Sequence, residues 1–232
     1  MADILQHAEV TLKEGYPLQK GMNFRPKNKN YSILLMSVRP DSPYRDGFDE
    51  KGTKLFYEGE DANRKEASSP KEFDQPMFSR NGKLSNNGKF FKAAEDFKLK
   101  RVSIPEKVQV YEKISKNVWA DKGRFDLVDA YYSKSDVENR KVFKFILTPQ
   151  AIRLPDKEVV EEFEFSRRIP TEVKRIVWER DQGKCSWQEC ESNKDLHFDH
   201  IIPWSKGGSS SDPKNIQILC GRHNLSKSDK IV

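Results

Sequence analysis

The chain has 232 residues, 35% of them hydrophobic and 34% charged, with a mean hydropathy of −0.84, a net charge of +6 and a pI near 9.0. These values allow one large domain or two small ones with a modest core, and no apolar run approaches the ~18 residues that a spanning helix needs. The opening Met1–His7 lacks a basic stretch followed by an apolar one, and three cysteines cannot all pair, so the sequence predicts a cytoplasmic protein without a secretory signal or membrane contact. Positive charge fits a polyanion partner, because lysines and arginines that neutralise phosphates release counterions. With 36 acidic residues interspersed, a solvated surface explains the charge equally well.

In chain order, Tyr31–Val38 is a β-capable run that ends in the turn cluster Arg39-Pro40-Asp41-Ser42-Pro43. Residues 58–89 are rich in Asp, Asn, Ser, Lys and Gly and predict long loops. Phe90–Phe97 predicts a helix with apolar residues on one face. Val108–Tyr111, Arg124–Tyr131 and Lys141–Leu147 alternate apolar and polar residues with small defects, as half-buried antiparallel strands do. Leu154–Arg168 turns acidic and then basic and reads as a connector. Pro170-Thr171-Glu172 opens a second helix, apolar at Val173, Ile176 and Val177, which runs to about Arg180 and closes at Asp181-Gln182-Gly183. The predicted organisation is an α+β chain: a β-rich recognition domain over 1–153, a linker over 154–169 and a second domain over 170–232.

Every cysteine and three of the four histidines fall between Cys185 and Asn224. Cys185 and Cys190 are separated by four residues, Cys220 and His223 by two. Two short ligand pairs with some 30 residues between them are the usual way a small domain builds a tetrahedral zinc site, here Cys3His. A segment near 60 residues has little core of its own, so a metal staple makes physical sense. Within this clamp lies Asp199-His200, at the end of a predicted strand where adjacent side chains face opposite ways. One of the pair can hold a metal while its neighbour faces a water. Phosphodiester hydrolysis needs such a water deprotonated and a cation on the leaving oxygen. Histidine supplies a base that titrates near neutrality, and a carboxylate with an asparagine amide supplies oxygens to a hard ion. Singly, Asp199 reads as a surface acid, His200 as a core histidine and Asn215 as a turn residue; together they read as a site.

Phe198-Asp199-His200-Ile201-Ile202-Pro203, Ser205-Lys206-Gly207-Gly208, Asn215-Ile216-Gln217-Ile218-Leu219-Cys220 and His223-Asn224 resemble the HNH nucleases, the ββα-metal fold. The resemblance implies that His200 activates water, that Asp199 and Asn224 ligate a catalytic Mg2+ or Mn2+, and that Asn215 orients His200 and ties down the loop. It implies structural Zn2+ on Cys185, Cys190, Cys220 and His223, with His223 standing where many members have a cysteine. Asn224 takes the place of the third histidine of the family name. Lys206-Gly207-Gly208 would turn between the two strands, and the lysines of the tail, with Arg222, would be available to DNA phosphates.

The earlier part of the chain resembles the SRA (YDG) readers of modified cytosine. The similarity rests on Leu55-Phe56-Tyr57-Glu58-Gly59-Glu60, Asp74-Gln75-Pro76, Asn87-Gly88-Lys89, Val108–Tyr111, Gly123–Asp129 and Lys141–Leu147. Ala120-Asp121-Lys122-Gly123 occupies the place of the Tyr-Asp-Gly signature. That resemblance implies base flipping, with Tyr57 or Trp119 stacking on the base and Asp121 accepting from the cytosine amino group. The whole reads as an SRA-like domain followed by a zinc-stapled HNH domain. Such a protein would be a restriction endonuclease on double-stranded DNA carrying 5-methyl- or 5-hydroxymethylcytosine, acting as a homodimer or a transient dimer on DNA. Its rivals are a sequence-specific restriction or homing nuclease and a zinc DNA-binding module without chemistry.

Overall fold

The computed structural model describes residues 4–38, 42–49, 53–63, 69–150 and 168–231; the predicted linker lies, but for its last two residues, outside them. The strands are β1 (Ile4–Gln6), β2 (Met22–Asn23), β3 (Ser32–Met36), β4 (Gly47–Phe48), β5 (Leu55–Glu58), β6 (Glu106–Ser115), β7 (Val118–Lys134), β8 (Lys141–Pro149), β9 (Leu196–His200) and β10 (Ile216–Cys220). The helices are α1 (His7–Glu14), α2 (Asn86–Lys98), α3 (Thr171–Arg180) and α4 (Gly221–Lys227). The α+β expectation therefore holds. No helix among the described residues is long and apolar enough to cross a membrane.

The chain divides into two compact units. The first comprises Tyr16–Tyr111 and Gly123–Gln150. Its strands run in the order β4-β5-β8-β7-β6-β3-β2. The alternation read from the sequence explains the packing: Phe143, Phe145 and Leu147 of β8 all point inward and are fully buried. Leu55 and Tyr57 of β5 stand opposite Leu147 and Phe145. Phe90 and Ala94, four apart on α2, bring that helix onto the same core, and the Ser85 hydroxyl caps it by accepting from the Gly88 amide at 3.1 Å. The stretch predicted as long loops holds, among its described residues, the last residue of β5, a short 3-10 turn at Pro70–Glu72, a Phe78–Leu84 bridge and the start of α2.

The second unit comprises Met1–Gly15, Glu112–Lys122 and the chain from 151 onward. Here β10, β9, β1 and β7 lie side by side. The antiparallel β9–β10 pair sets His200 opposite Ile216, Asp199 opposite Gln217 and Leu196 opposite Cys220. β1 adds Ile4 opposite both Leu196 and Ala120. Val173 and Val177 of α3, four residues apart on one helix face, pack with Ile216, Ile218 and Leu219. Residues 1–15 and 112–122, which the sequence reading grouped with the recognition domain, thus share a unit with the C-terminal segment.

Candidate active site and base pocket

The C-terminal segment builds its site from β9, the loop after it, and α4. Asp199 and His200 are consecutive strand residues, so their side chains leave on opposite faces. Asp199 Oδ2 accepts from Gln217 Nε2 at 3.1 Å, its cross-strand partner, and pairs with Lys227 Nζ at 3.0 Å. Oδ1 has no hydrogen bond among the described residues. His200 Nε2 lies 2.9 Å from Ser210 Oγ. Asn215 spends its whole amide on the loop: Oδ1 accepts from the Ile202 amide at 2.9 Å, and Nδ2 donates to the carbonyls of Ile202 at 3.2 Å and Ser209 at 3.0 Å. The closure is tight enough that a Cβ on Gly208 would sit 1.7 Å from the Ile202 oxygen, while Gly207 holds φ at +86°. Lys206-Gly207-Gly208 is therefore a turn that only glycines can make.

Asn224 and Lys227 are one turn apart on α4 and share a face. Lys227, 1% exposed, also donates to the His200 carbonyl at 2.7 Å. This corrects one expectation: Lys227 is buried against Asp199 and cannot face DNA. Of the other tail lysines, Lys230 is exposed. Ser210 and Lys227 were missed by sequence reasoning. A lysine three residues after Asn224 was visible, but its burial was not.

Beside this site, the Sγ atoms of Cys185, Cys190 and Cys220 and a ring nitrogen of His223 all lie within 4.8 Å of one another. His223 Nδ1 is 3.3 Å from Cys185 Sγ and 3.4 Å from Cys220 Sγ. Zinc arms of about 2.3 Å to sulfur and 2.0 Å to nitrogen imply tetrahedral edges of about 3.5 Å between unlike ligands. The donor set and its spacing fit zinc. Burial pushes the Cys185 thiol up to about 11, whereas the Ser192 backbone holds Cys190 below the ordinary thiol value; a bound cation would deprotonate the set. Trp187 stacks on His223 at 4.9 Å and 14°. Cys220 precedes α4 and His223 lies within it, so a metal here fixes the helix that carries Asn224.

Of the three residues expected to read a base, the structure takes only Tyr57 to a cavity in the first unit. Trp119 and Asp121 belong to the other unit, Trp119 opposite Leu5 in the sheet and Asp121 paired with Lys13. The cavity is about 400 Å³ and carries Tyr44, Tyr57, Glu58, Glu60 and Asp61 on its walls. Two buried amides shape it. Gln75 donates to the Gly59 carbonyl at 2.7 Å and accepts from the Phe143 amide at 2.8 Å; Asn87 accepts from the Glu60 amide and donates to its carbonyl, both at 2.8 Å. A Cβ on Gly59 would lie 2.6 Å from Gln75 Oε1, so the wall passes there only as glycine.

The acids differ in state. Glu58 pairs with Lys144 at 2.7 Å and Asp61 with Arg140 at 2.7 Å. Glu60 makes no ion pair within 4 Å among the described residues; burial pushes its carboxyl up, against the Met22 amide it accepts from at 2.8 Å and the more distant charge of Lys20. Burial, then the Asp61 carboxylate, push the Tyr44 phenol up to about 12. Tyr44 and Asp61 had no signal in the sequence, and Glu60 had only its place in the Leu55–Glu60 run.

Residues 184–230 match the family model "HNH endonuclease". The chain is similar to the SRA domain of SUVH5 in complex with hemimethylated CG DNA, at 18% identity over 67% of this chain and 88% of that one, with a TM-score of 0.43. It is similar to the DNA modification-dependent restriction endonuclease AspBHI, at 12% identity over 63% of this chain and 66% of that one, TM-score 0.39. A third similarity is to the phosphorothioation-dependent restriction endonuclease ScoMcrA, at 14% identity over 98% of this chain and 59% of that one, TM-score 0.39. None of the curated protein sequences matches significantly.

Proposed function

We propose that this protein is a metal-dependent endonuclease that hydrolyses the backbone of DNA carrying a modified cytosine. The observation that carries the reading is the joint placement of Asp199, His200, Asn215 and Lys227 around one strand end, within the segment that matches the HNH model. His200, whose Nε2 lies 2.9 Å from the Ser210 hydroxyl, acts as general base toward water. Asn215 positions His200 by fixing the loop that brings Ser210 to it. The open Oδ1 of Asp199 and the amide oxygen of Asn224 are hard donors suited to Mg2+ or Mn2+. When bound, such an ion offsets charge on the scissile phosphate and its leaving oxygen. Cys185, Cys190, Cys220 and His223 hold a structural zinc.

Target choice belongs to the acid-lined cavity. Its volume suits a nucleobase, its tyrosines offer apolar walls, and the Glu60 carboxylate accepts from a cytosine amino group as carboxylates do. Reaching it requires the base to leave the stack. Each site cuts one strand, so a double-strand break takes two chains, as a homodimer or paired on DNA.

The test is one plasmid in plain, methylated and hydroxymethylated forms, incubated with Mg2+ or Mn2+. Selective cleavage of a modified form supports the reading. Equal cleavage of all three assigns the chain to the sequence-specific nucleases instead.

A further inference from the structure

A second cleft, of about 480 Å³, adjoins the base cavity in the same unit, with Lys20 and Asn86 on the walls of both. Its charge is one-sided. Lys20, Arg25, Lys27 and Lys89 line it, and no carboxylate does, in a chain with 36 acidic residues. Arg25 is committed, its Nε donating to Glu106 at 2.9 Å. Lys20, Lys27 and Lys89 are exposed and have neither an ion pair nor a side-chain hydrogen bond among the described residues. Other lysines of this unit are paired with acids, among them Lys71 with Asp61, Lys98 with Asp129, Lys107 with Asp126 and Lys144 with Glu58. Lys20 feels the Glu60 carboxylate of the neighbouring cavity without an ion pair to it, and with Lys27 and Lys89 it sets three ammonium groups around one concavity, which raises its potential and attracts anions.

We propose that this cleft holds the phosphodiester backbone of the strand whose base enters the neighbouring cavity, an assignment that rests on the DNA reading above. A nucleotide has the two ends that the paired cavities complement. Its base offers amino donors to Glu60, and its phosphates offer anions to Lys20, Lys27 and Lys89. Lys20, on the shared wall, stands where the sugar and first phosphate emerge. The contact carries no sequence or modification information, because phosphates are alike at every step. It contributes affinity and register, and it acts with or without cleavage.

The experiment is equilibrium binding of the full chain to a modified duplex and a plain one, without Mg2+ or Mn2+, across a salt series. Each neutralised phosphate contributes about 0.9 to the slope of log affinity against log salt. Removing all three lysines (Lys20→Ala, Lys27→Ala, Lys89→Ala) is expected to flatten the slope by about 2 to 3 on both duplexes. The ratio of modified to plain affinity should stay as it was. A control that removes equal charge from exposed positions outside the cleft (Lys54→Ala, Lys83→Ala, Lys134→Ala) should change the slope by less than about 1. Equal flattening in both variants, or none in the first, overturns the proposal, as does a wild-type chain that binds no DNA. Cleavage that ignores modification, with the cleft variant still flattened, removes the modified-base reading and leaves the cleft standing.

Discussion

Lys227 offers the sharpest physical prediction, because a lysine at 1% exposure must be held by its partners. Its ammonium lies 3.0 Å from Asp199 Oδ2 and donates to the His200 carbonyl at 2.7 Å. Lys227→Met keeps the stem and removes the charge. Deleting one member of a buried pair costs about 3 to 5 kcal/mol. Asp199 is not fully enclosed, with its side chain 14% exposed, and it retains Gln217, so the lower end applies. A total near 3 kcal/mol corresponds to a melting temperature lower by about 6 to 12 °C for a chain of this size. Thermal unfolding followed by circular dichroism with zinc present measures it. The matched control is Lys206→Met, whose exposed Nζ lies 3.8 Å from Asp229 Oδ2 and donates to the Asp229 carbonyl at 2.6 Å; its loss should cost less than about 1 kcal/mol. A Lys227→Met midpoint within 1 °C of wild type would refute the burial of the ammonium against Asp199.

Elemental analysis of the purified chain should find one zinc, and Cys220→Ser should lose it. Structural zinc contributes about 10 kcal/mol or more in small folds, so this variant should lose the cooperative melt of the unit that holds β9 and β10; a zinc-free wild type with an intact melt would contradict the staple. Gly208→Ala forces a Cβ to within 1.7 Å of the Ile202 oxygen and should cost about 2 to 4 kcal/mol, whereas Gly47→Ala meets nothing within 4 Å and should be near neutral. Equal melting of the two glycine variants would refute the tight turn. Burial pushes the Asp46 carboxyl up to about 7 from an ordinary 3.8. The folded chain then keeps a proton there that the unfolded chain releases, so stability falls as pH rises from about 4 to about 7. The loss should be about 4 kcal/mol, and Asp46→Asn should flatten it. A stability curve that rises across that window equally in both proteins would refute the shift.

The chemistry of the second unit was legible because it is local in sequence. Ligand pairs, Asp199-His200 and the glycine turn each sit within a few residues, and their types leave few alternatives. The long strands were legible too, since a period of two survives over β7 and β8. What escaped depends on contacts distant along the chain. β1 is only Ile4–Gln6, too short to show a period, yet it joins β9 through Ile4 and Leu196. Trp119 and Asp121 lie on β7, a strand whose residues 118–122 and 123–134 belong to different units, and nothing local marks that division. Lys227 reads as a solvated helix end until α4 is seen packed on β9. Glu60 separates from Glu58 and Asp61 only once Lys144 and Arg140 are seen to neutralise those two.

The central claim is that His200, held by Ser210 and the Asn215-bound loop, takes the proton from water in a metal-dependent cut. Its most direct test is nicking of modified plasmid by wild type and His200→Ala in Mg2+ or Mn2+, with zinc content and melting shown to be equal. The account predicts a rate lower by about 10² to 10⁴ in the variant. Nicking at the wild-type rate would contradict it.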